Sequence, residues 1–208
     1  MEKIKIDEKL HNLSFDEKIN KKNIYNEWAD TYEDYVKKLN YLGPKNLVKK
    51  LTNYLNNNTI NKIKILDFGC GTGLLGLELY NNIQNKDIDG IDISENMIRE
   101  SEKKNIYENI WNIDLFLNKL NIDFEYDIIV SCGVFLEGHV SFEMIDILVN
   151  YLKKGGIICF SVRDTFKEEN AEEFNKYVKE NKKINIMDNV YMDYLPNVKC
   201  KLLIIKRN

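Results

Sequence analysis

The chain has 208 residues, 44% of them hydrophobic, enough to bury one sizeable core and too few for a second domain of ordinary size. With 30 Lys and Arg against 33 Asp and Glu, the formal net charge of −3 supplies no general field for nucleic acid or an anionic membrane. Cys70, Cys132, Cys159 and Cys200 lack C-x-x-C spacing, so they read as buried thiols of a reducing compartment, neither a disulfide frame nor a metal site.

Residues 1–22 are charged and weakly periodic, a loosely held leader or a short helix. Their charges interrupt the apolar core that a signal peptide needs, and no stretch approaches the roughly 20 apolar residues of a membrane span, so the expected address is cytoplasmic. From residue 23 the pattern sharpens. Tyr25, Trp28, Tyr32, Tyr35 and Val36 recur with helical spacing on one face. Core packing explains such a stripe, and a row of large, polar-tipped rings also suits a lid over a ligand. Gly43-Pro44 ends that helix and opens another, in which Leu47, Val48, Leu51, Tyr54 and Leu55 form the apolar face. A turn at residues 56–59 leads to the first strand. Asparagine is abundant throughout, a compositional bias rather than a functional signal.

Residues 64–73 read as an apolar strand ending in Asp67, a glycine-rich turn and the start of a helix near Thr72. Gly69, Gly71 and Gly73 let the backbone bend sharply and approach a bound molecule closely. A carboxylate just ahead of the turn repels a diphosphate and attracts a cationic amine. Leu74, Leu75, Leu77, Leu79 and Tyr80 continue as a helix, and residues 87–93 form a second strand with Asp92 near its end. Asp92 follows the turn at close to the spacing of about 20 at which an acid receives ribose hydroxyls in nucleotide-binding α/β folds. The plain alternative, an acid capping the next helix, is one that Ser94 can serve instead.

The third strand is expected over residues 110–115 and the fourth, apolar on both faces, over 126–131. A loop holding Glu137 and His139 follows, the titratable pair at the carboxyl end of the fourth strand, where ligands of open α/β sheets bind. A helix at 142–152, a turn at 154–156, a strand at 157–162, a charged helix at 167–182, and strands around 191–195 and 199–205 complete the alternation.

Asp67 with Gly69, Gly71 and Gly73 resembles motif I of the class I S-adenosylmethionine-dependent methyltransferases. The dinucleotide fingerprint GxGxxG of an NAD-dependent dehydrogenase would instead need glycine where the chain has Leu74. Residues 25–32 resemble the aromatic segment that many small-molecule methyltransferases place ahead of motif I as a lid, and 92–97 resemble the family's D-x-S-x-x-M. The string around 134–140 is similar to that of the small Williams-Beuren-region methyltransferase-like proteins. The resemblance covers about residues 25–208 and is strongest at 63–140. It implies a Rossmann-like, seven-stranded, mostly parallel α/β sheet with helices on both faces, an antiparallel C-terminal hairpin and N-terminal lid helices. One domain is expected, 1–58 forming the helical lid segment and 59–208 the cofactor-binding core.

It also implies S-adenosylmethionine as cofactor and a small-molecule acceptor. Asp92 would take the ribose, Ile93 and Met97 the adenine faces, and Asp114 the adenine amino group. Tyr25, Trp28 and Tyr32 would close from the lid, with Asp67, Gly69, Cys70, Gly71, Gly73, Leu115 and Ser131 completing the cofactor site. Glu137 or His139 would handle an acceptor proton where one must be moved. A non-catalytic cofactor-binding or partner-binding relative is the other reading, and against it stands the retention of Asp67, the three glycines and Asp92.

Overall fold

The structure, a computed structural model, describes residues 2–16, 18–55, 62–135, 140–163 and 176–208. Its helices are α1 (Glu2–Leu13), α2 (Lys21–Lys38), α3 (Gly43–Leu55), α4 (Leu74–Asn82), α5 (Glu95–Glu102) and α6 (Glu143–Val149), and residues 176–180 are also helical. Its strands are β1 (Ile63–Phe68), β2 (Lys86–Asp92), β3 (Asn109–Asn112), β4 (Tyr126–Phe135), β5 (Leu152–Arg163), β6 (Ile184–Leu195) and β7 (Val198–Arg207).

They form one seven-stranded sheet in the order β3-β2-β1-β4-β5-β7-β6, and β7 runs antiparallel to both β5 and β6. The order reverses between β1 and β4, so the carboxyl ends of those strands flank the crevice in which such sheets hold ligands.

Period-two alternation divides the core between the two faces. Ile63 and Ile65 of β1, Ile128 and Val130 of β4, and Leu202 and Ile204 of β7 join Leu47, Val48 and Leu51 of α3 and Leu75 and Leu79 of α4. Leu66 and Phe68, Ile129, and Leu203 and Ile205 face the other way, onto Met144, Ile145 and Leu148 of α6. A third cluster joins Leu10 of α1 to Ile24, Trp28, Ala29 and Tyr35 of α2 and Met97 of α5. The leader is therefore a helix docked on the aromatic helix, and Thr31 donates a hydrogen bond to the buried Asp7.

Several boundaries differ from the sequence expectation: α6 ends at Val149 rather than at 152, and β6 begins at Ile184, ahead of the strand expected around 191–195. The third strand stops at Asn112 because Asp114 forms a turn of its own, its Oδ1 accepting from Phe116 N at 2.9 Å and its carbonyl from Asn118 N at 2.9 Å. The fourth strand runs on past Ser131 to Phe135. The glycines at 155 and 156 do not separate helix from strand; they lie within β5, where the pairing with β4 jumps from Tyr126↔Leu152 to Ile128↔Ile157. Of the expected charged helix, 167–175 lies outside the described residues and 176–180 is helical.

Among the described residues the non-glycine positions of positive φ are Asn40, Asn85, Asn105 and Asn197, all asparagine. The four cysteines are unbridged, and no group of three or more potential metal ligands occurs among the described residues. No helix there is long and apolar enough to cross a membrane.

Leu79 is 0% exposed at the α4–sheet contact. Replacing it with Ala should lower unfolding free energy by about 2–5 kcal/mol in a urea titration, with an unchanged m-value.

Candidate active site

All three glycines of the turn have positive φ, +72° at Gly69, +53° at Gly71 and +89° at Gly73, but a side chain would meet different surroundings at each. A Cβ on Gly69 would stand 2.3 Å from Val134 Cγ2 of β4, whereas at Gly71 it would meet nothing within 4 Å. Open space over Gly71 is what a turn that receives a ligand should show. The turn is tied to β2 at three points. Gly69 N and Cys70 N donate to the Ile91 carbonyl at 2.9 and 3.0 Å, and Gly71 N donates to Asp92 Oδ2 at 2.8 Å. The other oxygen, Oδ1, accepts from Ser94 N at 2.8 Å, and Ser94 Oγ caps α5 by accepting from Met97 N at 3.2 Å. Burial raises the Asp92 pKa, and the amides of Ser94 and Gly71 oppose that rise.

Asp67 lies behind the turn. It is 1% exposed, Tyr107 Oη donates to its Oδ2 at 2.7 Å, and the Gly76 amide also favours its charged form. Burial, the largest cause, lifts its pKa to about 7 against the opposing Tyr107 hydrogen bond. Two further glycines admit the tyrosine. A Cβ on Gly76 would fall 2.1 Å from Tyr107 Oη, and one on Gly90 would press the ring at 3.2 Å.

A cavity of about 650 Å³ opens beside the turn. Ten of the residues singled out from the sequence line it: Tyr25, Tyr32, Gly69, Cys70, Gly71, Asp92, Ile93, Met97, Asp114 and Leu115. Trp28, Asp67, Gly73 and Ser131 do not. Trp28 is 2% exposed and packs among lid aromatics, 5.1 Å from the Tyr32 ring in an edge-to-face contact. Gly73 starts α4, its Cβ position facing Ser101. Ser131 is fully buried, donating to the Phe68 carbonyl at 2.8 Å and so bracing β4 against β1. Glu137 and His139 lie outside the described residues.

Helix α2 is fastened over this cavity by polar contacts to α5. Asn26 Oδ1 accepts from Ser94 Oγ at 2.7 Å and Asn96 N at 3.2 Å, and Asn96 Nδ2 donates to the Asn26 carbonyl at 2.9 Å. Further along, Lys104 Nζ bridges Glu33 and the Thr72 carbonyl, each at 2.6 Å.

Against α2 sits a second cavity of about 60 Å³, sharing Tyr25, Tyr32, Tyr41 and Gly133 with the larger one. Tyr41 Oη donates to Tyr194 Oη at 3.1 Å and lies 3.3 Å from Cys132 Sγ. Burial pushes the Cys132 thiol up to about 11 and carries Tyr41 and Tyr194 well above the usual phenol range, so these groups keep their protons at neutral pH. His11, bonded to Tyr35 Oη at 2.9 Å, is driven toward its neutral form by burial and then by the charge of Arg163. The sequence reading missed His11, Tyr41, Arg163 and Tyr194 as site residues. Only the docking of α1 and the return of β6 bring them together, and no local spacing encodes either.

A methyltransferase-domain family matches residues 66–158. Malonyl-[acyl-carrier protein] O-methyltransferase 2 of Ilyobacter polytropus is 31% identical over 147 residues, covering 69% of this chain and 54% of that protein. Residues 66–158 thus match a methyltransferase domain. Methyltransferase-like protein 27 of Homo sapiens is 29% identical over 146 residues, covering 69% of this chain and 58% of its own length. The chain thus spans about half the length of the curated relatives it matches. The fold is shared with magnesium protoporphyrin IX methyltransferase from Synechocystis, at a TM-score of 0.66 and 17% identity over 91% of this chain and 98% of that one. It is shared also with an S-adenosylmethionine-dependent methyltransferase from Clostridium acetobutylicum, at 0.61 and 18% over 88% and 99%.

The site suits S-adenosylmethionine. The cavity has the size of an ordinary small-molecule site, about 300–1,000 Å³, and combines two half-buried acids, Asp92 and Asp114, with apolar walls. Its glycine turn leaves Gly71 uncovered.

Two outcomes follow from the turn. Gly69→Ala should destabilise the protein more than Gly71→Ala in chemical denaturation, the latter paying only the left-handed penalty of about 1–2 kcal/mol and the former a clash besides. Asp67 binds its proton more tightly folded than unfolded, so its contribution to stability is full below its unfolded pKa near 4 and is lost as pH rises through about 7. Asp67→Asn should therefore flatten the decline in stability over that window, measured by urea midpoints across pH.

Proposed function

We propose that the chain is an S-adenosylmethionine-dependent methyltransferase that transfers a methyl group to a small-molecule acceptor by in-line displacement. The observation that carries this reading is the cavity joining the glycine turn and Asp92 to the pocket at the carboxyl end of β4. The amides of Gly71, Ser94 and Ile93 orient the Asp92 carboxylate at the cavity wall, which suits a group that would receive two vicinal hydroxyls. Ile93, Met97 and Leu115 supply the apolar surface for an adenine ring, and Asp114 supplies an acceptor for its amino group. Cys70 and Gly71 offer backbone at closest approach, and Tyr25 and Tyr32 cover the cleft from α2.

When bound, the cofactor supplies a methyl group already activated on a sulfonium. The residues of this chain then have to align and to exclude water, and alignment can contribute about 7–11 kcal/mol to lowering the barrier. The phenols of Tyr25, Tyr32 and Tyr41 stay protonated because they are buried, so they line the route between cleft and pocket without placing a charge in it. His11 is the neutral base that the described pocket offers for an acceptor proton; Glu137 and His139 remain candidates for the same task.

A dehydrogenase reading meets Leu74 at the head of α4, lining the cavity where a third fingerprint glycine would stand. A binding protein without turnover would show the same cofactor affinity and no methyl transfer.

Saturating S-adenosylmethionine or S-adenosylhomocysteine, at about 100 times its dissociation constant, should stabilise the native state by about 2.7 kcal/mol in thermal unfolding, and NADH should not. Asp92→Asn should weaken S-adenosylhomocysteine by about tenfold or more, about 1.4 kcal/mol. Stabilisation by NADH alone would overturn the proposal.

A further inference from the structure

Tyr107 reaches the glycine turn from outside the site. It lies in the connection from α5 to β3 and, like Asp67, lines neither of the two cavities. Three elements nevertheless leave room for it. A Cβ would stand 2.1 Å from its Oη at Gly76 of α4, 3.2 Å from its ring at Gly90 of β2, and 3.4 Å from its ring at Gly73, where the turn enters α4. Neither Gly76 nor Gly90 has a positive φ, so backbone conformation does not call for glycine at either position. Glycine inside a helix or a strand costs stability, and here it seats one ring whose hydroxyl lies 2.7 Å from a buried carboxylate.

Helix α4 begins after Gly73, which has no side chain to cap it. Asp67 brings a carboxylate to that end from β1, and the Gly76 amide in the first turn of α4 favours its charged form. Burial and the charge of Asp67 hold the Tyr107 phenol well above its usual range, so it remains a donor. A charged carboxylate accepts from both groups, whereas a protonated one presents a donor of its own to them. Around Asp67 the other titratable groups are Asp92 at the end of β2, Cys70 in the turn and Cys132 of β4. Past Gly73 runs Lys104, next after α5, already bonded to Glu33 and the Thr72 carbonyl.

We infer that Tyr107 is a positioning residue for cofactor binding: through Asp67 it fixes the glycine turn against the start of α4, and with it the Gly71 backbone that faces the cleft. Tyr107 touches no ligand itself. That the ligand is S-adenosylmethionine rests on the methyltransferase reading; that the turn depends on Tyr107 rests on the seat of the ring alone. The Asp67 carboxyl changes charge at about 7, and the Tyr107 hydrogen bond opposes the rise that burial causes. Removing the hydroxyl therefore moves that change to higher pH.

The test is calorimetric titration of S-adenosylhomocysteine into the full chain on both sides of pH 7, with amide hydrogen exchange at the turn of the ligand-free protein. Wild-type affinity should fall as pH is lowered through about 7. Tyr107→Phe, which keeps the ring and removes the hydroxyl, should weaken S-adenosylhomocysteine by about fivefold or more at neutral pH. It should also move the fall to higher pH and speed exchange of the Gly71 amide. Asp67→Ala should abolish that fall, and adding Tyr107→Phe to it should weaken binding no further. Gly76→Ala, whose methyl would displace the hydroxyl, should reproduce the loss of affinity although alanine favours a helix, and it carries the test should Tyr107→Phe not fold. Unchanged affinity in Tyr107→Phe, or in Gly76→Ala where that variant carries the test, overturns the role. So does an equal loss from Tyr107→Phe with and without Asp67, or a profile that Tyr107→Phe lowers without displacing it along pH. A wild type that ignores S-adenosylhomocysteine removes the cofactor reading instead; faster Gly71 exchange in Tyr107→Phe would then still support the hold on the turn, and unchanged exchange would overturn it.

Discussion

The 2.8 Å hydrogen bond from Gly71 N to the Asp92 carboxylate is the constraint around which the molecule is arranged. A carboxylate withdrawn from water is expensive unless it is hydrogen-bonded, and the half-buried Asp92 takes amides from two different elements, Gly71 of the glycine turn and Ser94 of the α5 cap, besides that of its neighbour Ile93. One charge therefore fixes the position of two backbone segments that wall the same cleft. The bond can form because β1 and β2 pair in parallel with Phe68 opposite Ile91, which brings the end of one strand beside the turn that leaves the other. Shifting that register by one residue would exchange the two faces of the shifted strand, bringing side chains fitted to one helical layer against the other, so core packing and site geometry enforce the same alignment.

The lid follows from the same arrangement. Ser94, adjacent in space to the Asp92 carboxylate, both caps α5 and donates to Asn26 of α2. The aromatic helix is thus held over the larger cavity through side chains that are themselves ordered by the acid. Its other face packs on α1, through the cluster of Leu10, Trp28 and Tyr35, and there it forms the wall of the smaller pocket.

Most of the sheet was legible in the sequence because it is written in local signals: apolar runs bounded by turn residues, and three alternating glycines behind an acid. The same signals located most of the cleft. They were less informative where position depends on contacts distant in the chain. Asp67 reads as a charge offered to a ligand, yet Gly76 and Gly90 make room for Tyr107 to bond it from behind, and the carboxyl is buried. Ser131 and Gly73 lie next to cavity residues in sequence and are turned by strand pleat and helix start into the scaffold. Tyr41 and Tyr194 are separated by 153 positions and meet only because β7 inserts between β5 and β6 and returns the chain alongside α3.

The abundance of asparagine, which has no functional reading in the sequence, has a mechanical one in the fold. Asparagine occupies every described non-glycine position of positive φ, at Asn40 after α2, Asn85 before β2, Asn105 after α5 and Asn197 between β6 and β7. Its short polar side chain tolerates the left-handed conformation, while its Cβ leaves the unfolded chain fewer states than glycine would. Each of these connections accordingly costs less entropy to close. The joints that asparagine forms are therefore stiffer than their sharpness suggests, and three of the five glycines of positive φ are concentrated in the turn at residues 69–73 that borders the cleft.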